Sequence, residues 1–188
     1  MVAYFKQLKA MAVLAIRHFK RIIKSNKNKL YLSFGENCLT DEILSRYNLK
    51  SFSTPFSSGR SNIEYVLQIE KDEYKDFLNP DFMKYGIFNE KNVVRLTKYN
   101  EIKNQYHYMQ MEGFEFSHHD VLNNLKMREK IDRRVKRLLE AKNKEVNIFY
   151  HHRYCVDTNE DMLIRDLAEL KDIYEGRNNK VNIFMFIY

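Results

Sequence analysis

Few residues in this sequence can do chemistry, and the first is a thiol. Cys38 ends the stretch SFGENC, residues 33–38, between the apolar run Leu30-Tyr31-Leu32 and a helix-like segment. Gly35 permits a tight turn or a close backbone approach there. A cysteine at the head of a helix meets unpaired amides and the positive end of the dipole, which together favour a thiolate. The same amides can hold an oxyanion or a phosphate. Cys38 is equally small enough to be an inert buried residue, as free cysteines often are. A nucleophile needs a base, and the segment EFSHHDV supplies His118, His119 and Asp120. An imidazole takes the thiol proton and a carboxylate orients the ring. Adjacent histidines on an extended strand face opposite ways, so one of the two can point at a given site. The plainer roles are an N-cap for Asp120 and surface positions for the histidines. A second pair, His151 and His152, lies in HHRYC, residues 151–155. No ligand spacing matches an established zinc pattern, so neither a metal nor a cofactor is expected.

Those residues need elements to position them. The apolar runs at 29–34, 146–150 and 181–187 predict buried strands. Periodicity predicts helices at 39–47, 62–78, 121–141 and 160–175, with a loop over 52–61. Residues 79–117 are ambiguous, with strands expected at 93–97 and near 106–109. Strand, helix and strand from 146 to 187 read as a βαβ unit and so imply parallel pairing. The expected class is α/β, a mainly parallel central sheet flanked by helices in a Rossmann-like three-layer arrangement. The strand ending near Phe34 is expected beside the strand ending near Tyr150. Sites in such sheets lie beyond the carboxyl ends of strands, where both SFGENC and HHRYC fall.

With 188 residues and 44% hydrophobic content the chain can bury one substantial core. Its charge is uneven. Eight basic residues and no acid precede Glu36, leaving 24 basic residues against all 25 acids in the remainder. The pI of about 9.2 therefore belongs to the N-terminal segment, and no nucleic-acid partner is expected. Apolar residues from Tyr4 to Ile23 recur at three- and four-residue steps, predicting an N-terminal amphipathic helix over residues 2–24. Its broad apolar face and basic flank suit an anionic membrane surface, or packing on protein. Ser25-Asn26-Lys27-Asn28 reads as a linker, dividing the chain into 1–28 and a single α/β domain, 29–188. Two distant cysteines, no cleavage-site pattern and no long apolar run point to the cytoplasm, peripheral at the inner face of the membrane if the helix binds it.

The stretch LSFGENCLTDEILSRYNLKSFSTPFSS resembles the opening motif of a bacterial family of unknown function classed with papain-like cysteine peptidases. Members have a strand, a Gly-x-x-Cys turn and a helix, then a Ser-x-Pro-Phe-Asp-Trp loop, an aromatic-x-His-Asp segment, an Arg-rich helix and a strand ending in basic residues. Ser53-Thr54-Pro55-Phe56 matches the loop, with Ser57-Ser58 in place of Asp-Trp. His119-Asp120 is the better register for the histidine segment, with His118 the alternative, and residues 133–137 match the Arg-rich helix. The resemblance implies Cys38 as nucleophile and His119 as base, and a setting among surface-polysaccharide genes. A papain-like fold would be antiparallel, against the parallel signal from the βαβ unit.

Two function classes follow. One is a cysteine-dependent hydrolase or acyl transferase acting on a small-molecule, peptide or glycan substrate, with Cys38, His119 or His118, and Asp120. The other is a sugar-phosphate or nucleotide-sugar transferase of polysaccharide biosynthesis. There Gly35, Asn37, Ser53, Arg134, His151 and Arg153 would bind the ligand, the turn holding phosphate and the arginines adding bidentate contacts. A blander third class is a non-catalytic partner module of a membrane-associated complex.

Overall fold

A computed structural model describes residues 29–102, 112–154, 158–176 and 180–187. The amphipathic stretch 2–24 and the strand expected near 106–109 lie outside the described residues. In chain order the elements are β1 Leu30–Gly35, α1 Leu39–Arg46, a 3-10 turn Pro55–Ser58, α2 Ile63–Lys71, a second 3-10 turn Pro80–Phe82, β2 Met83–Phe88, β3 Lys91–Leu96 and β4 Phe114–Phe116. They continue with α3 Leu125–Ala141, β5 Val146–His152, α4 Glu160–Glu175 and β6 Val181–Ile187. Among the described residues no helix is long and apolar enough to cross a membrane.

The sheet that carries the Cys38 turn is parallel, ordered β1-β5-β6 with β5 in the centre. Phe34 pairs with Tyr150 and Gly35 with His151, as the short apolar runs required. Alternation along the strands sorts their side chains onto two faces. Leu32, Phe34, Ile148 and Tyr150 enter the main core with Ile131 and Leu138 of α3 and Leu163, Leu170 and Tyr174 of α4. Tyr31 and Phe149 face the other way, toward Leu44 of α1, Leu49 and the half-buried Phe184 and Phe186. Each fully buried side chain of this size contributes about 1.5–3 kcal/mol relative to exposure. The β5–α4–β6 crossover closes the expected βαβ unit.

The second sheet departs from the expected mainly parallel arrangement. It is an antiparallel meander, β2-β3-β4, so the molecule is mixed α/β rather than a doubly wound Rossmann-like stack. Asn89 and Glu90 join β2 to β3 with φ of 47° and 62°, the left-handed pair of a tight hairpin turn. Aromatic contacts weld this meander to the parallel sheet: Phe34 stacks on Phe56 at 4.9 Å, and Phe56 meets Phe114 of β4 edge-on at 5.7 Å. A backbone bridge between Arg60 and Glu115 adds a polar tie.

Two helices are shorter than their periodicity predicts. The apolar pattern over 62–78 is helical only to Lys71, because Glu73 and Tyr74 adopt φ of 50° and 64° and turn the chain out. That turn lets the Tyr74 hydroxyl donate to Glu70 at 2.5 Å. Glu70 also accepts from Tyr174 of α4 at 2.7 Å and pairs with Lys142 at 2.9 Å, so one buried carboxylate joins α2, α4 and the end of α3. The helix expected from 121 begins at Leu125, where the Asn124 side chain accepts from the Met127 amide at 3.1 Å.

Gly35 makes the parallel pairing possible at its carboxyl end. Its φ is 129°, and a Cβ there would lie 2.5 Å from both the amide nitrogen and the carbonyl oxygen of His151. The conformation and the clash act together, so Gly35→Ala is expected to cost at least about 2 kcal/mol in urea unfolding. A loss below about 0.5 kcal/mol, typical of a neutral surface change, would contradict this account of the β1–β5 edge.

Candidate functional site

β1 hands the chain to α1 through Glu36, Asn37 and Cys38, and each of the three is tied down differently. The Glu36 amide donates to the His151 carbonyl at 3.1 Å, which continues the ladder one residue beyond the strand. The buried Glu36 carboxylate reaches the end of β5. One oxygen accepts from His152 Nδ1 at 2.7 Å, the other from the Arg153 amide at 3.2 Å. A carboxylate only accepts, so Nδ1 carries the proton and Nε2 faces the Thr158 hydroxyl at 3.1 Å. Asn37 Oδ1 accepts from the Leu39 amide at 2.9 Å, occupying one of the amides at the helix head. Cys38 is the N-cap itself, its carbonyl accepting from the Glu42 amide at 3.0 Å. Thr40 fastens the first turn of α1 to β1 by donating to the Phe34 carbonyl at 2.9 Å.

This turn forms one wall of a cavity of about 400 Å³ between the two sheets. The first 3-10 turn contributes Ser58 and the loop after it Gly59 and Arg60; the hairpin contributes Phe88 and Lys91. Ser117, His118 and Arg153 complete the rim. The carboxyl edge of the parallel sheet thus holds a cleft, where strand order and turns led it to be expected.

Cys38 and His118 line this same cavity. His118 is exposed and Cys38 half-buried. The thiol is not activated in this state: burial pushes it above the ordinary thiol value, and the nearby Glu42 carboxylate adds to that. The Cys38 amide pulls the other way without prevailing. The S–H points to Glu42 Oε1 at 3.8 Å. Cys38 stands at the head of α1, but desolvation and a carboxylate one turn along outweigh the pull of the helix head on the thiol.

His119 does not line this cavity, and strand alternation is not the reason: β4 ends at Phe116 and both histidines lie in the turn beyond it, where the His119 amide donates to the Phe116 carbonyl at 3.4 Å. It is 8% exposed, and its Nδ1 lies 3.4 Å from the Ser58 hydroxyl, which in turn accepts from buried Arg134 at 2.7 Å. Burial, then the charge of Arg134, pulls the His119 pKa down from 6.5 to about 4. The ring is therefore neutral at physiological pH, with Ser58 beside its Nδ1. Asp120 accepts from the Tyr85 hydroxyl at 3.0 Å and from the Asn123 amide at 3.0 Å. It caps a local turn, and no hydrogen bond among the described residues joins it to His118 or His119.

The remaining expected ligand residues are scattered. Gly35 serves the backbone approach, and Arg153 is exposed on the cavity rim. Ser53 is half-buried outside the cavity lining, while its neighbour Thr54 donates to the Ser33 carbonyl at 2.8 Å. Arg134 reaches the site only through Ser58. His151 is 1% exposed, with no hydrogen-bond partner for either ring nitrogen among the described residues. Burial lowers its pKa too, against the pull of Glu36. Arg60, Lys91, Phe88 and Ser58 belong to the site without having been singled out. The one sequence signal for Ser58 was its place in the loop motif. Among the described residues no cluster of His, Cys, Asp and Glu is arranged to hold a metal.

Two buried neutral imidazoles set a pH dependence. An unfolded chain protonates His119 near 6.5, whereas the folded ring resists until about 4. Stability is therefore complete above about 6.5 and is lost as pH falls toward 4, with His151 acting in the same direction. The urea midpoint should fall across that window, and His119→Gln should flatten part of the slope. A wild-type midpoint unchanged between those limits would contradict the burial of both rings as neutral groups.

Neither a curated protein nor a solved structure matches the chain. A family model does, over residues 29–187, from the start of β1 to the end of β6. Its span takes in the Cys38 turn, the His118 segment and the cleft between them, and the chain belongs to that family, whose description reads "Putative papain-like cysteine peptidase (DUF1796)".

Proposed function

We propose that this protein is a cysteine-dependent hydrolase or acyl transferase in which Cys38 is the nucleophile and His118 the base. The observation that carries the reading is that these two residues, from different segments, line one cavity at the carboxyl edge of the parallel sheet. His119, the better register by family resemblance, is held at Ser58 and is the weaker candidate.

In the proposed cycle His118 takes the thiol proton as Cys38 sulfur bonds to the substrate carbonyl carbon. The head of α1 is placed to stabilise the developing charge. Collapse breaks the bond to the leaving group, which receives the proton from the imidazolium, and leaves a thioester on Cys38. Water then gives a proton to His118 and its oxygen to the carbonyl carbon. The carbon–sulfur bond breaks and the thiolate recovers the proton. A hydroxyl or amine in place of water completes a transfer instead. Burial, reinforced by Glu42, disfavours the thiolate in the resting state, so activation belongs to the substrate-bound state.

Acylation is tested with p-nitrophenyl acetate. A burst of one equivalent of p-nitrophenol is expected, with an acetyl adduct on the Cys38 peptide. Cys38→Ala should abolish both, and a burst surviving in that variant would refute the proposal. His118→Ala should slow acylation about 10²–10⁴-fold, the range typical of a lost general base. If His119→Ala alone produced that loss, with folding retained, the assignment of the base would be reversed.

Reactivity toward iodoacetamide tests the resting state. Cys38 should be alkylated with a pH midpoint above that of a free thiol, because burial and Glu42 both disfavour the thiolate. Glu42→Gln removes one of those causes and should lower the midpoint, so that labelling at pH 8 becomes severalfold faster. A midpoint below a free thiol's in the wild type would show that the helix head prevails after all.

A further inference from the structure

We propose that the cavity beside Cys38 selects substrates carrying an anionic group, a carboxylate or a phosphate, close to the reacting carbonyl. The carbonyl part of this statement rests on Cys38 being the nucleophile; the anion preference stands on the charges alone. Three permanent cations reach the cavity from three separate segments: Arg60 from the loop, Lys91 from the start of β3 and Arg153 from just beyond β5. A single acid, Glu36, shares the lining, and its two oxygens accept from the His152 ring and the Arg153 amide. Glu42 lies 3.8 Å from the thiol but is not part of the cavity lining.

The cations have different duties. Arg60 is fixed. Its guanidinium lies 3.5 Å over the Phe88 ring and pairs with buried Glu115 at 3.2 Å, so it forms a stiff wall whose charge is largely compensated. Lys91 and Arg153 are exposed on the rim. Like charges gathered around a concave, low-dielectric cleft concentrate the field inside it and raise the local concentration of anions. A solvated face spreads its charges over a convex surface; these converge on the one cleft that also holds the thiol. Arginine offers the anion a fork of two donors and lysine a movable point charge, a pair suited to carboxylate or phosphate oxygens. This is also the chemistry that a sugar-phosphate substrate would require.

The test uses the full-length protein and two alkylating agents that differ chiefly in charge, iodoacetate and iodoacetamide. Rates are read at the Cys38 peptide by mass spectrometry and divided by those for a small neutral thiol. The normalised preference for iodoacetate should exceed unity by about tenfold at low salt, the lower end of electrostatic steering. It should collapse toward unity in about 0.5 M NaCl, where the screening length is only a few ångströms. Lys91→Gln and Arg153→Gln should each lower it, and the double variant should abolish it. Either single variant suffices if the double variant fails to fold. A ratio of one or less at low salt overturns the proposal. Protection of Cys38 from iodoacetamide by inorganic phosphate or by acetate assigns the anion as phosphate or carboxylate. Neither reagent needs a catalytic cycle, so a raised ratio together with an acylation burst that survives Cys38→Ala would sink the nucleophile and leave the anion site standing.

Discussion

The approach of Gly35 to the backbone of His151 is the constraint on which the site depends. Without a Cβ, the last residue of β1 lies flush against β5, and its neighbour can keep to the ladder for one more hydrogen bond. Glu36 is thereby delivered to the carboxyl end of β5, where its side chain ties together two segments more than a hundred residues apart in sequence. Cys38 follows at the head of α1 with little freedom left, since Asn37, Thr40 and the strand carbonyls hold the turn on both sides. A larger residue at 35 would force the strands apart and move the thiol away from the opposite wall. The position of the Cys38 thiol is therefore set by strand packing before any property of the thiol matters.

The parallel sheet was legible because its strands are apolar on both faces and sit at βαβ spacing; α4 and β6 follow the pattern residue for residue. The meander was legible only in part: the strand expected at 93–97 is β3 Lys91–Leu96, but its partners β2 and β4 were not foreseen. β2 alternates in the wrong sense for a simple reading, with Tyr85 and Ile87 exposed and Met83 buried. Its turn uses Asn89-Glu90 in left-handed conformations without a glycine to announce them. The 62–78 helix was overread for a related reason: the apolar periodicity continues past Lys71, but Tyr74 leaves the helix to satisfy Glu70. A local pattern cannot show a hydrogen bond that pulls a chain out of register.

The site was legible to a similar depth. The alternation expected to separate His118 from His119 does not apply, because β4 ends at Phe116 and both lie in the turn beyond it, and nothing local showed which one meets the cavity. The fold decides it through Ser58, which stands where the resembling family has a tryptophan. Its small hydroxyl bridges Arg134 and His119, two residues from motifs that look independent in sequence. The neighbouring Ser57 accepts from the Thr54 amide at 2.9 Å and closes the loop on itself.

The Glu70 cluster has an optical consequence. The sequence holds 13 tyrosines and no tryptophan, so absorbance at about 280 nm comes almost wholly from phenols. Tyr74 and Tyr174 are buried with their hydroxyls on one carboxylate, and burial, reinforced by that negative charge, holds both far from ionisation. In the folded chain these two phenols join other buried tyrosines such as Tyr65 in staying silent while the exposed ones become phenolates and change colour. Their appearance in the alkaline spectrum marks the moment at which α2, α4 and the end of α3 come apart, an intrinsic chromophore for the opening of the core that needs no label.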